Sequence, residues 1–199
     1  MPRSSAPIVV AHLDESCLGN GRDSDNRGGA GGLIETRTAS GIQRRDFWIS
    51  DPATTNNRMA LEGAATLLEL LAARGARLRV LVVSDSEYLV RGICEWVPGW
   101  ISRGWRRKRG PIENLERWQR LVRAAQLHDV HWNWVRGHFG HAKNEYADHL
   151  AVQAARLQTR SDGAVPSGFE AWLEAKRKKR QYLTYDPDQS FTETEAQLA

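Results

Sequence analysis

Hydrophobic and polar residues alternate along this chain with two periods, and the changes between them mark its elements. PIVVAHLD is an apolar run closed by an acid, which predicts a buried strand. SCLGNGRDSDNRGGAGG, rich in glycine and mixed in charge, predicts a long hairpin loop. GLIETRT and IQRRDFWIS, separated by ASG, predict the second and third strands. In the loop DPATTNNR, Thr54 or Thr55 is available to cap a helix. From Met59 to Arg74 the residues Leu61, Ala64, Ala65, Leu68 and Leu71 fall on one helical face. ARLRVLVVSDS predicts a strand ending at Asp85, with a helix from about Ser86. EWVPGWISRGWRRKRGPIEN holds two turn signals, Pro98-Gly99 and Gly110-Pro111. NLERWQRLVRAAQ is an amphipathic helix, and DVHWNWV alternates like an exposed edge strand. NEYADHLAVQAARL predicts a last core helix with Tyr146, Ala147, Leu150, Ala151 and Ala154 on its apolar face.

The order is three strands, helix, strand, helices, strand, helix. The first three strands can form an antiparallel meander. The last two need crossover helices and so run parallel to the first. The expected fold class is α/β, a mixed five-stranded sheet with helices on both faces. The expected boundaries are a disordered N-terminus over 1–6, one domain over 7–158, and a remainder over 159–199. That remainder reads as a linker, SDGAVPSG, a short basic helix, FEAWLEAKRKKRQ, and a disordered tail, DPDQSFTETEAQLA.

Composition narrows the class. Hydrophobic residues are 41% and charged residues 26% of 199, which suits a globular domain of ordinary size. No apolar run reaches the roughly 18 residues of a membrane span, and the N-terminal apolar run is too short for a signal peptide. Cys17 and Cys94 make neither a disulfide framework nor a zinc set. A cytoplasmic monomer with reduced thiols is expected. The net charge of +4 is unevenly placed, with RGWRRKR at 103–109 and KRKKR at 176–180. Such runs are commonly no more than solvated faces. The first, however, is interleaved with Trp96, Trp100 and Trp105, a combination suited to gripping a phosphate backbone.

Three acids carry the candidate chemistry. Asp14 and Asp85 close two strands expected to be parallel neighbours, where ligands gather beyond the carboxyl ends. Asp148, in the first turns of the last helix, can join them. An all-oxygen set without cysteine favours Mg²⁺ or Mn²⁺ over zinc. Each Asp also has a structural reading, since an acid after a strand often caps a helix or makes a turn. His138 and His141 lie in a glycine-rich loop just before the helix, with no third soft ligand for zinc nearby.

Five motifs in order, SCLGN after an Asp, TTNNRM, SDSEYLV, EWV…GW…RGW and GHFGHAKNEYADHLA, closely resemble the type 1 ribonucleases H over about residues 8–157. The resemblance implies the mixed sheet inferred above. It also implies a metal-dependent endonuclease that cuts the RNA strand of an RNA–DNA hybrid, with about two Mg²⁺ or Mn²⁺ ions. Asp14, Asp85 and Asp148 fall on the family's metal-binding aspartates and His138 on its loop histidine. Asn20, Thr55, Asn56 and Asn57 fall on positions that grip the hybrid, and Cys17 on a position in the same surface. Trp96, Trp100 and Trp105, with Arg106, fall on the protruding element that holds the DNA strand.

One departure is chemical. The family pattern places glutamate directly after the methionine of NNRM, where this chain has Ala60. Glu62 lies about 200° around the helix and faces elsewhere. Glu15 replaces the glycine usual after Asp14 and could turn toward the cations if the strand bends at its end, though neighbouring strand residues point to opposite faces. Three explanations stand side by side: a relocated carboxylate at Glu15, deliberate inactivation, or a protein that binds hybrid without cutting. A non-catalytic hybrid- or duplex-binding module is therefore the alternative function. An interaction domain that reuses the fold is a third class.

Overall fold

A computed structural model describes residues 6–19, 26–73, 75–137 and 140–198. Three antiparallel strands come first: β1 (Ile8–Cys17), β2 (Gly28–Thr38) and β3 (Gly41–Asp51). Helix α1 (Asn56–Ala72) leads to β4 (Arg79–Ser84), which is parallel to β1. α2 (Glu87–Arg91) continues through a π-helical turn, Gly92–Trp96, into α3 (Val97–Ser102). α4 (Leu115–Ala125), β5 (Asp129–Trp134) and α5 (Ala142–Leu157) follow. A two-residue strand, β6 (Val165–Pro166), and helices α6 (Phe169–Lys178) and α7 (Pro187–Glu195) end the chain. The sheet order is β5-β4-β1-β2-β3-β6. The expected fold class holds, and the sheet gains a sixth strand because Val165 and Pro166 pair with Asp46 and Arg45 at its edge.

Alternation sorts the faces. Val9, Ala11, Leu13, Val80 and Val82 pack with α1 and α4 in the main core, around a fully buried Trp118. Val10, Leu81 and Val83 face the other way, onto Phe191 and Leu198. Beside them Leu33 meets Tyr146, Phe169 and Leu173.

Two expectations need correction. The glycines at 28–32 are not hairpin loop; they form the first half of β2. A Cβ at Gly29 or Gly31 would collide with the backbone of α5, at Ala151 and Ala147 respectively. The glycine run is there so that helix and sheet approach closely, and Ala151, Ala154 and Ala155 do the same from the helix side. The calls on Asn20 and on the loop through 25 lie outside the described residues, as do those on residues 1–5.

The segment after 160 is ordered and covers the sheet. Asp46 accepts from Tyr146 at 2.5 Å, Ser167 at 2.6 Å and the Gly168 amide at 2.9 Å, which fixes the start of α6. Asp186 caps α7 through the amides of Asp188 and Gln189. Arg44 forks to Glu35 at 2.9 Å, Glu170 at 2.7 Å and Asp188 at 2.5 Å. The expected tail DPDQSFTETEAQLA is instead a capped helix whose Phe191 is wholly buried. Its composition is polar because only one of its faces touches the sheet.

Candidate active site

β1 runs three residues past Asp14, to Cys17, because β2 continues to pair with it there. Parallel pairing with β4 stops earlier, at Leu13 and Ser84. The gap that opens between the two strands is lined by Asp14 and Glu15 on one side and Asp85 and Ser86 on the other. Asp14 lies on the α5 face of the sheet, since its pair partner is Gly31, which lies beneath α5. Its carboxylate accepts the Asn144 amide at 2.6 Å and the Glu15 backbone N–H at 2.7 Å. Asn144 and Asp148 stand one turn apart on α5, so one helix face holds Asp14 and delivers the third aspartate.

These acids bear on one another. Burial, then the charges of Asp85, Glu15 and Asp148, push Asp14 up to about 9, against the Glu15 N–H bond. Burial also raises Glu15, to about 8; a Ser86 hydrogen bond opposes the rise and the Asp85 charge adds to it. Among the described residues no three carboxylate, imidazole or thiol groups are drawn together closely enough to hold a metal ion as they stand. The cluster is an arrangement of mutually repelling carboxyls, not a closed cage.

Glu15 lies on the α1 side of the sheet, beside its strand neighbour Leu13 in the main core, where Ala60 of α1 is also buried. The glutamate therefore approaches the aspartates from the side of the sheet where the alanine stands. Glu62 is committed elsewhere: it pairs with Arg117 at 3.0 Å and with Arg120, tying α1 to α4. The loop after β5 is held against the cluster, since a Cβ at Gly137 would land on Oδ2 of Asp85. Trp134, 47% exposed, donates to the Asp85 backbone oxygen at 3.0 Å. His138 lies outside the described residues.

The remaining site expectations fall out as follows. Thr55 caps α1, accepting from the Arg58 amide, and Asn56 and Asn57 are exposed in its first turn. Cys17 is buried, its thiol 3.6 Å from the Thr54 carbonyl oxygen, so it packs beneath that turn and does not lie on the surface. Trp96, Trp100 and Trp105 are half-buried rather than exposed. Trp96 and Trp100 are 6.1 Å apart, and Trp100 meets Trp118 edge-on at 5.8 Å. They brace the base of a protrusion whose arginines, Arg103, Arg106 and Arg107, are exposed. Asn144 and Trp134 were missed by the sequence reading. The signal for Asn144 was its spacing of four from Asp148.

A sheet whose central parallel strands end in clustered acids, with the chain at Gly137 packed alongside, is the architecture of an α/β nucleic-acid hydrolase. Comparison with known proteins agrees. The family described as RNase H matches residues 6–156. Ribonuclease H of Methylococcus capsulatus is 42% identical over 157 residues, 78% of this chain and 94% of that protein. Ribonuclease H of Halorhodospira halophila is 45% identical over 147 residues, 73% of this chain and 91% of that protein. The crystal structure of LC9-RNase H1, described as a type 1 RNase H with the type 2 active-site motif, superposes with a TM-score of 0.79 at 54% identity. It covers 84% of this chain and 81% of its own. The chain belongs to the ribonuclease H family of endoribonucleases.

Proposed function

We propose that this protein hydrolyses the RNA strand of RNA–DNA hybrids and that Glu15 serves in place of the carboxylate missing at Ala60. The observation that carries this reading is geometric: β1 and β4 part after Leu13 and Ser84, so Asp14, Glu15 and Asp85 flank one opening, and α5, which holds Asp14 through Asn144, carries Asp148 one turn on. A fourfold oxygen set dense in negative charge fits hard divalent ions. A relative 54% identical combines the family fold with a different active-site motif. In this chain the proposed departure is a shift of one carboxylate, from α1 to β1.

Asp14, Glu15, Asp85 and Asp148 would hold Mg²⁺ or Mn²⁺, in a two-ion arrangement. When bound, such ions activate water and stabilise the charge building on the phosphorus centre. Asn144 fixes the rotamer of Asp14, and the chain at Gly137 lies against Asp85. His138 would move a proton at the leaving oxygen. The side chains of Asn20, Thr55, Asn56 and Asn57 suit a shallow groove edged by 2′-hydroxyls. The arginines around Trp105 suit the DNA strand.

The test is cleavage of a labelled hybrid with Mg²⁺ or Mn²⁺. Wild-type protein is expected to cut the RNA strand, and Asp14→Asn to lose that activity. Glu15→Ala should abolish cutting, whereas Ala60→Glu should leave the wild-type rate little changed. Tight, salt-sensitive hybrid binding with no product under either metal would favour the non-catalytic module.

A further inference from the structure

A groove between α5 and α6 encloses about 540 Å³. Asp148, the α5 member of the acid cluster, stands in its wall. Arg156 continues the α5 side, and Lys176 and Lys179 line the α6 side. Trp172 forms part of the floor, with the Lys176 ammonium 4.9 Å from its ring centre. Lys176 also stands 3.5 Å from Glu145, which with Asp148 supplies the acids of the groove. Arg156 and Lys179 are exposed.

This cationic wall is held firmly. Phe169 and Leu173 are fully buried, and Tyr146 of α5 meets Phe169 at 5.2 Å and Trp172 at 5.4 Å, edge-on in both cases. The basic run therefore sits on a docked helix beside the reacting centre, not on a free tail.

We propose that this groove is a second nucleic-acid contact, in which Arg156, Lys176 and Lys179 hold phosphates of the RNA strand several nucleotides from the cut. The proposal rests on the hybrid-cleaving function above. Arg156 is two helical turns beyond Asp148, about 12 Å along α5. With about 3.4 Å of rise per nucleotide in one strand, that distance corresponds to three or four nucleotides. Trp172 gives the track an aromatic wall beside which sugar or base can lie.

The test compares full-length wild type, Arg156→Gln, Lys179→Gln, the double variant and a control, Arg77→Gln, which removes one exposed charge from the turn between α1 and β4. KM for hybrid cleavage is measured against salt. Each lost phosphate contact should flatten the slope of log KM against log salt by about 1, so the double variant should flatten it by about 2. Lys179→Arg should restore it, and Arg77→Gln should not change it. On hybrids shortened to two base pairs beyond the cut on the groove side, wild type and double variant should give the same slope. A double variant with the wild-type slope on long hybrids overturns the groove assignment. A wild-type protein that neither cuts nor binds hybrid overturns the proposed function itself, which separates the two failures.

Discussion

Asn144→Ala removes a buried side-chain donor to the Asp14 carboxylate, and its cost can be worked from the geometry. The amide is 3% exposed and 2.6 Å from Oδ2, so water does not easily take its place. A hydrogen bond to a charged acceptor contributes about 1.5–3 kcal/mol. At about 1.36 kcal/mol per tenfold, its loss corresponds to about 10- to 150-fold. Groups that orient metal ligands typically cost about 10–100-fold in affinity or activity when removed, which is the same range. The donor stabilises the ionised form of a carboxyl already pushed up to about 9, so its removal favours the protonated form further. The assay is kcat/KM for hybrid cleavage together with the Mn²⁺ midpoint, with a urea melt to show that the variant is folded. Asn144→Asp should be worse than alanine, because it replaces a donor with a fifth acid. A folded Asn144→Ala protein within twofold of wild type in both quantities would refute this account of how Asp14 is held.

Three further outcomes follow. Asp14 and Glu15 have folded pKa values near 9 and 8, above those of the unfolded chain, so the folded state binds the extra protons between about pH 4 and 9. Their contribution is present at low pH and lost as pH rises through those values; metal-free protein should therefore gain more from added Mn²⁺ at pH 9 than at about pH 6, and an equal gain in melting temperature would contradict it. Phe191→Ala deletes a fully buried ring packed on Val10, Leu81 and Val83, which should cost about 3–5 kcal/mol. At about 2–4 °C per kcal/mol, Tm should fall by about 6–20 °C, and a shift under about 2 °C would mean that α7 is not part of the folded unit. Gly137→Ala places a methyl on the Asp85 carboxylate, so kcat should drop while Tm changes little; an unaltered kcat would show that the loop does not lie against the cluster in solution.

Legibility in the sequence followed periodicity. The strands and helices with a clear apolar stripe, such as α1 and α5, were visible, and so were the three aspartates, because strand ends and helix turns place them. The start of β2 was hidden because glycine serves both turns and close packing, and only α5 lying on Gly29 and Gly31 distinguishes the two. α7 was hidden because its single large apolar anchor, Phe191, sits in a polar, acidic segment. Its docking depends on a buried charge network that no local pattern reveals. Glu35 accepts from Arg44 and forms an ion pair with Lys143 at 2.8 Å. Burial works to raise Glu35, and His12 and Lys143 outweigh it, holding the carboxyl down to about 2. The tryptophans beside the basic run suggested an exposed surface; their aromatic contacts with one another and with Trp118 make them a brace instead.

The central claim is that Glu15 shares cations with Asp14, Asp85 and Asp148. Mn²⁺ titration of wild type, Glu15→Gln and Glu62→Gln, followed by calorimetry, addresses it directly. Glu15→Gln should weaken binding at least tenfold, whereas Glu62→Gln, which only loosens the α1–α4 ion pairs, should bind as wild type does. Superimposable isotherms for wild type and Glu15→Gln would contradict the account.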